Sequence, residues 1–268
     1  MKLVIFAGGM GTRIMEESAR IPKPMVMVGQ RPILWHIMKY YASFGIRDFI
    51  ICLGYKGYVI KEYFFHYHMH NSDMAIDLKG NQVKFFNNAC EDWNITLVET
   101  GEQTMTGGRL KRVAPYLGED KTFLLTYGDG LTDANLTHEI AFHHAHGKQA
   151  TMLAVRPSGR FGAVEMDGAE VRRFVEKPRG DGGFINGGFF VLNREVISLI
   201  KDDSTVWENE PLEALVRQRQ LMAYAHEGFW SCMDTLRDAN TLNTLWEAGE
   251  APWCLWDPTR AAKDKHVA

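Results

Sequence analysis

Three glycines, a threonine and an arginine stand together in Gly8-Gly9-Met10-Gly11-Thr12-Arg13, directly after the apolar run Leu3-Val4-Ile5-Phe6-Ala7. Lys23 follows ten residues after Arg13, held between Pro22 and Pro24. Glycine lets backbone N–H groups close on an anion without a side chain in the way. Arg13 and Lys23 add two full positive charges to those partial ones. The chemistry this combination suits is the cradling of a polyphosphate. It is not the dinucleotide fingerprint, because Ile14 occupies the third glycine position, nor a P-loop, because no Gly-Lys-Ser/Thr follows. A tight turn with an incidental arginine would leave three glycines and two cations at one strand end without a purpose.

A nucleoside triphosphate arrives with Mg²⁺, which takes one or two protein carboxylates and completes its shell with phosphate oxygens and water. Asp129, between Gly128 and Gly130, and Asp234, in Cys232-Met233-Asp234-Thr235, are the candidates. Each has a plainer reading, Asp129 as a turn residue and Asp234 as a helix cap; the phosphate cradle favours the metal role for both. Glu176-Lys177-Pro178 closes a further strand, and Asn186-Gly187-Gly188 precedes the apolar Phe189-Phe190-Val191-Leu192. These could approach a ligand and bond its hydroxyls, or could be an edge-strand charge and a simple turn. Thr104-Met105-Thr106-Gly107-Gly108-Arg109 opens a helical pattern whose free N–H groups suit a base or phosphate, with Thr106 as the expected cap. His66, His68 and His70 alternate and His143, His144 and His146 cluster, but nothing nearby completes the three or four ligands zinc needs. No Ser-His-Asp order or activated cysteine is present. If the nucleophile is a phosphate oxygen it is already an anion, and catalysis reduces to alignment and charge neutralisation.

Groups at strand ends need a sheet to hold them. The pattern predicts strands over 2–7, Asp48–Leu53, Asn94–Glu99, Thr122–Tyr127 and 149–155, alternating with helices over 32–44, 58–65, 109–117 and 136–145. This is an α/β class: a mixed, mostly parallel, Rossmann-like sheet flanked by helices. The second half is richer in β structure, with strands over 163–166 and 171–176 about the hairpin signal Asp167-Gly168, then 189–192, 222–226 and 230–233, and helices over 211–220 and 235–248. Ligands of open α/β sheets sit beyond the carboxyl ends of the strands, so the glycine loop, Asp129 and Asp234 are expected to share one cleft. We expect one domain over 1–254, with a nucleotide-binding part over about 1–130 and a small β-rich sugar-binding lobe over about 131–254, followed by a tail over 255–268.

With 268 residues, 46% hydrophobic, the chain can bury a sizeable core, and a net charge of −3 gives no basic excess for nucleic acid or a membrane surface. Cys52, Cys90, Cys232 and Cys254 lie too far apart in sequence for a zinc knuckle and suit a reducing cytosol. Lys2 and the apolar run imitate the start of a signal peptide, but glycines and charges cut it short. A cytoplasmic protein without a membrane span is the expectation.

Taken together these motifs resemble the sugar-1-phosphate nucleotidyltransferases over almost the whole chain. The glycine loop with Arg13, Pro22-Lys23-Pro24-Met25, Gly128-Asp129-Gly130, Glu176-Lys177-Pro178 and Asn186-Gly187-Gly188 occur in family order. The longer runs Gly54-Tyr55-Lys56-Gly57-Tyr58, Met105-Thr106-Gly107-Gly108-Arg109 and Met233-Asp234-Thr235-Leu236-Arg237-Asp238 are similar to its cytidylyltransferase branch. The resemblance implies that CTP and α-D-glucose 1-phosphate give CDP-glucose and pyrophosphate, for the dideoxy sugars of bacterial surface polysaccharide such as O-antigen. It implies that Ala7, Gly8, Gly9, Gly11, Thr12 and Arg13 hold the triphosphate, with Thr104, Arg109 and Gly128 also on the nucleotide. Lys23 would neutralise the reacting phosphoryl group, so that Arg13, Lys23 and Asp129 carry the catalysis. Asp129 and Asp234 would hold Mg²⁺, and Gly162, Glu176, Lys177, Asn186 and Gly187 the sugar phosphate. A homo-oligomer, a hexamer, is also implied. Ile21 departs from the branch, which tends to carry a second lysine there. The alternatives are UTP or another hexose 1-phosphate, and a non-catalytic sugar-nucleotide-binding regulator; a glycosyltransferase would carry Asp-x-Asp, which this chain lacks.

Overall fold

A computed structural model describes residues 1–9, 21–157, 163–167, 170–175 and 183–257. Seven strands, β1 (Leu3–Phe6), β2 (Asp48–Leu53), β3 (Asn94–Glu99), β4 (Thr122–Tyr127), β5 (Ala150–Val155), β6 (Ile185–Asn193) and β7 (Leu221–His226), form one sheet in the order β7-β5-β6-β4-β1-β2-β3. β1 runs parallel to β2 and β4, β2 to β3, and β5 to β7, whereas β6 is antiparallel to both β4 and β5. The sheet is thus mixed and mostly parallel, as the alternating pattern predicted. Because β6 is reversed, its first residues lie at the rim where its neighbours end; Phe189 pairs with Thr126, near the carboxyl end of β4.

The inner strands β1, β2 and β4 read as nearly unbroken apolar runs because both faces are covered. In β1, Leu3 and Ile5 belong to the core under helix Ile33–Ser43, while Val4 and Phe6 face the other layer with Leu110, Val113, Leu117 and Trp207. Helix Ile33–Ser43 presents Ile33, Leu34, Ile37, Met38 and Tyr41 to the sheet at helical spacing. It stops at Gly45, whose φ of +85° a side chain would resist.

Four details depart from the sequence pattern. The helix expected over 109–117 begins earlier, as Thr106–Val113, and passes into a 3₁₀ turn, Ala114–Leu117, where Pro115 cannot continue the α ladder. Met105, not Thr106, holds its N-cap position, and no side chain caps it. An antiparallel hairpin, Asp73–Asp77 with Gln82–Phe86, was not anticipated; its residues are mostly exposed, so no buried face imposes an alternation on the sequence. The short ribbon of Gly130–Thr132 with Trp230–Cys232 was half anticipated and matters most for the site. The pair Ala163–Asp167 and Glu170–Val175 forms as the hairpin signal suggested.

Candidate active site

Three segments meet at the sheet's rim. The first continues β1: Ala7 N–H donates to Cys52 O at 3.0 Å, and Gly8 O accepts from Tyr55 N–H at 3.2 Å, so the start of the glycine loop is laced to the end of β2. The second continues β4: Gly128 N–H donates to Phe6 O at 2.9 Å, which sets Asp129 beside the loop. The third is the ribbon strand Trp230–Cys232, whose pairing with Gly130–Thr132 and the bond from Met233 N–H to Asp129 O at 2.9 Å bring Asp234 alongside Asp129.

Asp234 is not a helix cap. That work falls to its neighbour Thr235, whose side chain accepts from Asp238 N–H while Asp238 Oδ2 accepts from Thr235 N–H, a complete capping box on helix Leu236–Glu247. Asp238 Oδ2 also accepts from Asp234 N–H at 3.0 Å, fixing the backbone and leaving the Asp234 carboxylate to face the cleft.

Lys23 lies in the 3₁₀ turn Lys23–Met25, stiffened by the flanking prolines. Its Nζ donates to Asp129 Oδ2 and to Asp234 Oδ1, both at 2.6 Å. Burial pulls the ammonium's pKa down, but the two carboxylates outweigh it and leave it above the ordinary lysine value. One ammonium therefore bridges two carboxylates drawn from positions more than a hundred residues away. The trio keeps one negative charge in excess, which a divalent cation would reverse.

That bridge tests whether a metal fits. The ammonium stands in for a cation, and it shows that one oxygen of each carboxylate converges on a common point. Among the described residues no group of three or more His, Cys, Asp or Glu gathers to hold an ion. Two carboxylates with no further ligand is the sparse protein share typical of Mg²⁺, whose remaining positions go to phosphate and water. Cys232, beside Asp234, is no nucleophile: burial first, then the neighbouring carboxylates, push its thiol up to about 12.

The trio opens onto a cleft of about 400 Å³, lined also by Ala7, Gly8, Gly9, Thr104, Arg109 and Gly128. Every described member of the nucleotide set is therefore on one wall or floor. Arg109 is there in an unexpected posture. It is 4% exposed, and its guanidinium donates to Gly8 O, Leu53 O, Thr100 Oγ1 and Glu102 O. It props the start of the loop from beneath. A Cβ on Gly8 would lie 2.1 Å from Arg109 Nη1, so close packing requires glycine there.

On the other side of Tyr127 lie Asn186 and Gly187, brought to the rim by the reversal of β6. Gly187 O accepts from Trp230 Nε1 at 2.7 Å, tying β6 to the ribbon that carries Asp234. Gly188, at φ +80°, lets the ring of Tyr127 pack against its backbone, where a Cβ would come within 2.6 Å of Tyr127 Cδ2. The candidates Gly11, Thr12, Arg13, Gly162, Glu176 and Lys177 lie outside the described residues. Sequence reasoning did not select Tyr127, Thr106 or Glu102, which also line the cleft. Tyr127 could have been found, since it is the last strand residue before Gly128-Asp129-Gly130. The histidine clusters are structural where buried: His143 bonds Thr151 Oγ1 at 2.9 Å and Asn193 Oδ1 at 3.0 Å, fastening helix Leu136–His146 to the sheet.

A parallel-rich sheet with Gly8 and Gly9, a lysine and two carboxylates at its rim is the framework of a nucleotide-transferring enzyme. The nucleotidyl transferase family model matches residues 2–251, and the chain belongs to that family. It is 57% identical over 257 residues to the glucose-1-phosphate cytidylyltransferase of Salmonella typhi, covering 96% of this chain and all of that one. It is 32% identical to the mannose-1-phosphate guanyltransferase of Saccharomyces cerevisiae, over 86% of this chain and 60% of that protein. Among solved structures, UDP-glucose pyrophosphorylase complexed with UDP-glucose shares the fold, with a TM-score of 0.64 and 13% identity over 92% of this chain and 98% of that one.

Proposed function

We propose that this chain is a glucose-1-phosphate cytidylyltransferase, joining CTP and α-D-glucose 1-phosphate into CDP-glucose with release of pyrophosphate. What carries the proposal is the Lys23–Asp129–Asp234 cluster at the mouth of the cleft, in a chain so similar, end to end, to the Salmonella typhi enzyme.

The sugar-phosphate oxygen attacks the α-phosphorus in line, and pyrophosphate leaves from the opposite side. No general base is needed, because the nucleophile is already anionic. Gly8 and Gly9 offer backbone amides to the triphosphate, joined by Gly11, Thr12 and Arg13, whose guanidinium offsets the charge of the leaving group. Asp129 and Asp234 would hold Mg²⁺, which when bound screens the triphosphate and polarises the phosphoryl group under attack. Lys23, released from the two carboxylates, lends its charge to the group in transfer. Thr104 and Gly128 bound the nucleotide; Asn186 and Gly187, with Gly162, Glu176 and Lys177, bind the sugar phosphate. The product class suits the building of dideoxy sugars for surface polysaccharide. Four cysteines with no two close together in the sequence suit a reducing cytoplasm, and among the described residues no helix is long and apolar enough to cross a membrane.

The test is pyrophosphate release with each nucleoside triphosphate and each hexose 1-phosphate offered singly. CTP with glucose 1-phosphate is expected to lead. A preference for UTP or another hexose would replace the substrates, and silence with every pair would remove the catalytic reading in favour of a binding role.

A further inference from the structure

Four strands end at the rim of the cleft in the order β4-β1-β2-β3, all parallel. β4 leads into Asp129, β1 into Gly8 and Gly9, and β3 into Glu102, Thr104 and Met105, and all six residues line the cleft. At the usual strand spacing β4 and β3 stand about 14 Å apart, so the cleft has two ends. At the first, Lys23 bridges Asp129 and Asp234. A nucleotide with its reacting phosphate there, lying across Gly8 and Gly9, directs its nucleoside toward the second.

Bases are told apart by their donors and acceptors, and most polar groups at the second end are already engaged. Arg109 spends its guanidinium on Gly8 O, Leu53 O, Thr100 Oγ1 and Glu102 O. Thr106 Oγ1 donates to Glu208 Oε2 at 2.6 Å and accepts from Trp207 N–H at 2.9 Å. Thr104 carries a hydroxyl that gives or takes according to its rotation, so it suits cytosine and uracil alike. Glu102 is different. Its main-chain oxygen accepts from Arg109 Nη2 at 3.3 Å, which ties the residue to the cleft wall and leaves the carboxylate as its acceptor for a ligand. Among the described residues lining the cleft it is the one carboxylate besides Asp129 and Asp234. A carboxylate only accepts. Cytosine presents an amino group at position 4, where uracil presents an oxygen. A carboxylate at the nucleoside end therefore attracts the first base and repels the second.

We propose that Glu102 selects cytosine over uracil, its carboxylate accepting from the N4 amino group. Met105, half-exposed on the same wall, offers the ring an apolar face. This rests on the reading of CTP as the nucleotide substrate. A glutamine at this place turns its oxygen to an amino group or its nitrogen to a carbonyl with equal ease, so the preference is lost. Glu102 is exposed and lies outside helix and strand, so its replacement is expected to leave the melting midpoint unchanged.

The experiment is kcat/KM for CTP and for UTP at saturating glucose 1-phosphate, in the full-length wild type, E102Q and E102A, with melting midpoints beside them. The wild type is expected to favour CTP. E102Q should cut the CTP-to-UTP ratio at least about tenfold, the discrimination of one base-edge contact, with UTP gaining as CTP loses. E102A should cut it too, since attraction and repulsion go together, and KM for glucose 1-phosphate should hold in both. An unchanged ratio in either variant would overturn the proposal. So would equal losses with both nucleotides, which would place Glu102 on the ribose or in the fabric of the loop. Should one variant fail to fold, the other decides alone. A wild type that takes UTP as readily as CTP would instead sink the choice of CTP on which the proposal stands.

Discussion

At the scale of single residues, the decisive feature is a competition. Lys23 occupies the point to which Asp129 and Asp234 converge, so a divalent ion and the lysine cannot both hold the same two oxygens. Two carboxylates alone bind Mg²⁺ poorly, and an ammonium bridging them weakens that further. A triphosphate changes the balance twice, by bringing more oxygen ligands and by offering Lys23 another anion. The expected outcome is that the wild-type enzyme binds Mn²⁺ weakly without CTP, and that Lys23→Met binds it at least about tenfold more tightly under the same conditions, since the charge-assisted bonds it removes are each worth about a factor of ten. Electron paramagnetic resonance titration of free Mn²⁺ measures this without turnover. Equal affinity in the two proteins would show that the lysine does not guard the site. The same variant should lose roughly 10²–10³ in kcat with CTP, the usual loss for one transition-state charge. Lys23, Asp129 and Asp234 were legible in the sequence because their types and their places at strand ends are chemical statements. The posture of Arg109 was not. Its partners are mainly backbone carbonyls, at Gly8, Leu53 and Glu102, and no residue pattern records where a carbonyl points.

At the scale of elements, most of the sheet could be read directly, and the reason is burial. Asp48–Leu53, Asn94–Glu99 and Thr122–Tyr127 have the bounds expected of them; in Asp48–Leu53 and Thr122–Tyr127, apolar runs covered on both faces leave little freedom in where a strand begins. The hairpin Asp73–Asp77 with Gln82–Phe86 escaped notice because its exposed faces impose no such pattern. The reversal of β6, which delivers Asn186 to the rim, is a property of topology and leaves no local mark. The capping box falls between these cases: Thr235 and Asp238 carry the right spacing, but that Asp238 also takes the N–H of Asp234 appears only in three dimensions. Asp238→Ala should therefore do two things at once. Loss of the cap costs ~1 kcal/mol, which for a chain of this size lowers the melting midpoint by about 2–4 °C. Loss of the Asp234 backbone anchor should also lower kcat, by about tenfold or more, at temperatures where the protein remains fully folded. Scanning calorimetry beside kcat at 25 °C separates the two, and a melting shift with unchanged kcat would mean that the ribbon alone holds Asp234.

At the scale of the molecule, two features bear on how the chain assembles and how it responds to pH. Ile76, Val83 and Phe85 stand exposed on one face of the unanticipated hairpin, with Phe86 on the other face and Leu78 in its turn, apolar positions that self-association would cover. If the enzyme is the homo-oligomer its resemblance implies, Phe85→Asp with Phe86→Asp should shift sedimentation toward a smaller species; an unchanged mass would place the contact elsewhere. The second feature lies inside. Glu139 sits on helix Leu136–His146 at 1% exposure, its Oε1 without a hydrogen-bond partner, and burial pushes its pKa up to about 8. In the unfolded chain the carboxyl ionises near its ordinary value, while the folded protein holds the proton until about pH 8. Between those limits the unfolded state releases a proton that the native state keeps, so this group's contribution to stability falls as pH rises. The slope approaches on the order of 1.4 kcal/mol per pH unit in that window, is flat below it, and levels off once the native state ionises as well. Glu139→Gln removes the titration and keeps the shape of the side chain. Its urea midpoint should gain on that of the wild type steadily from pH 5 to pH 8 and run parallel outside that range. Parallel curves throughout would mean that Glu139 is ionised, and compensated, in the folded protein at neutral pH.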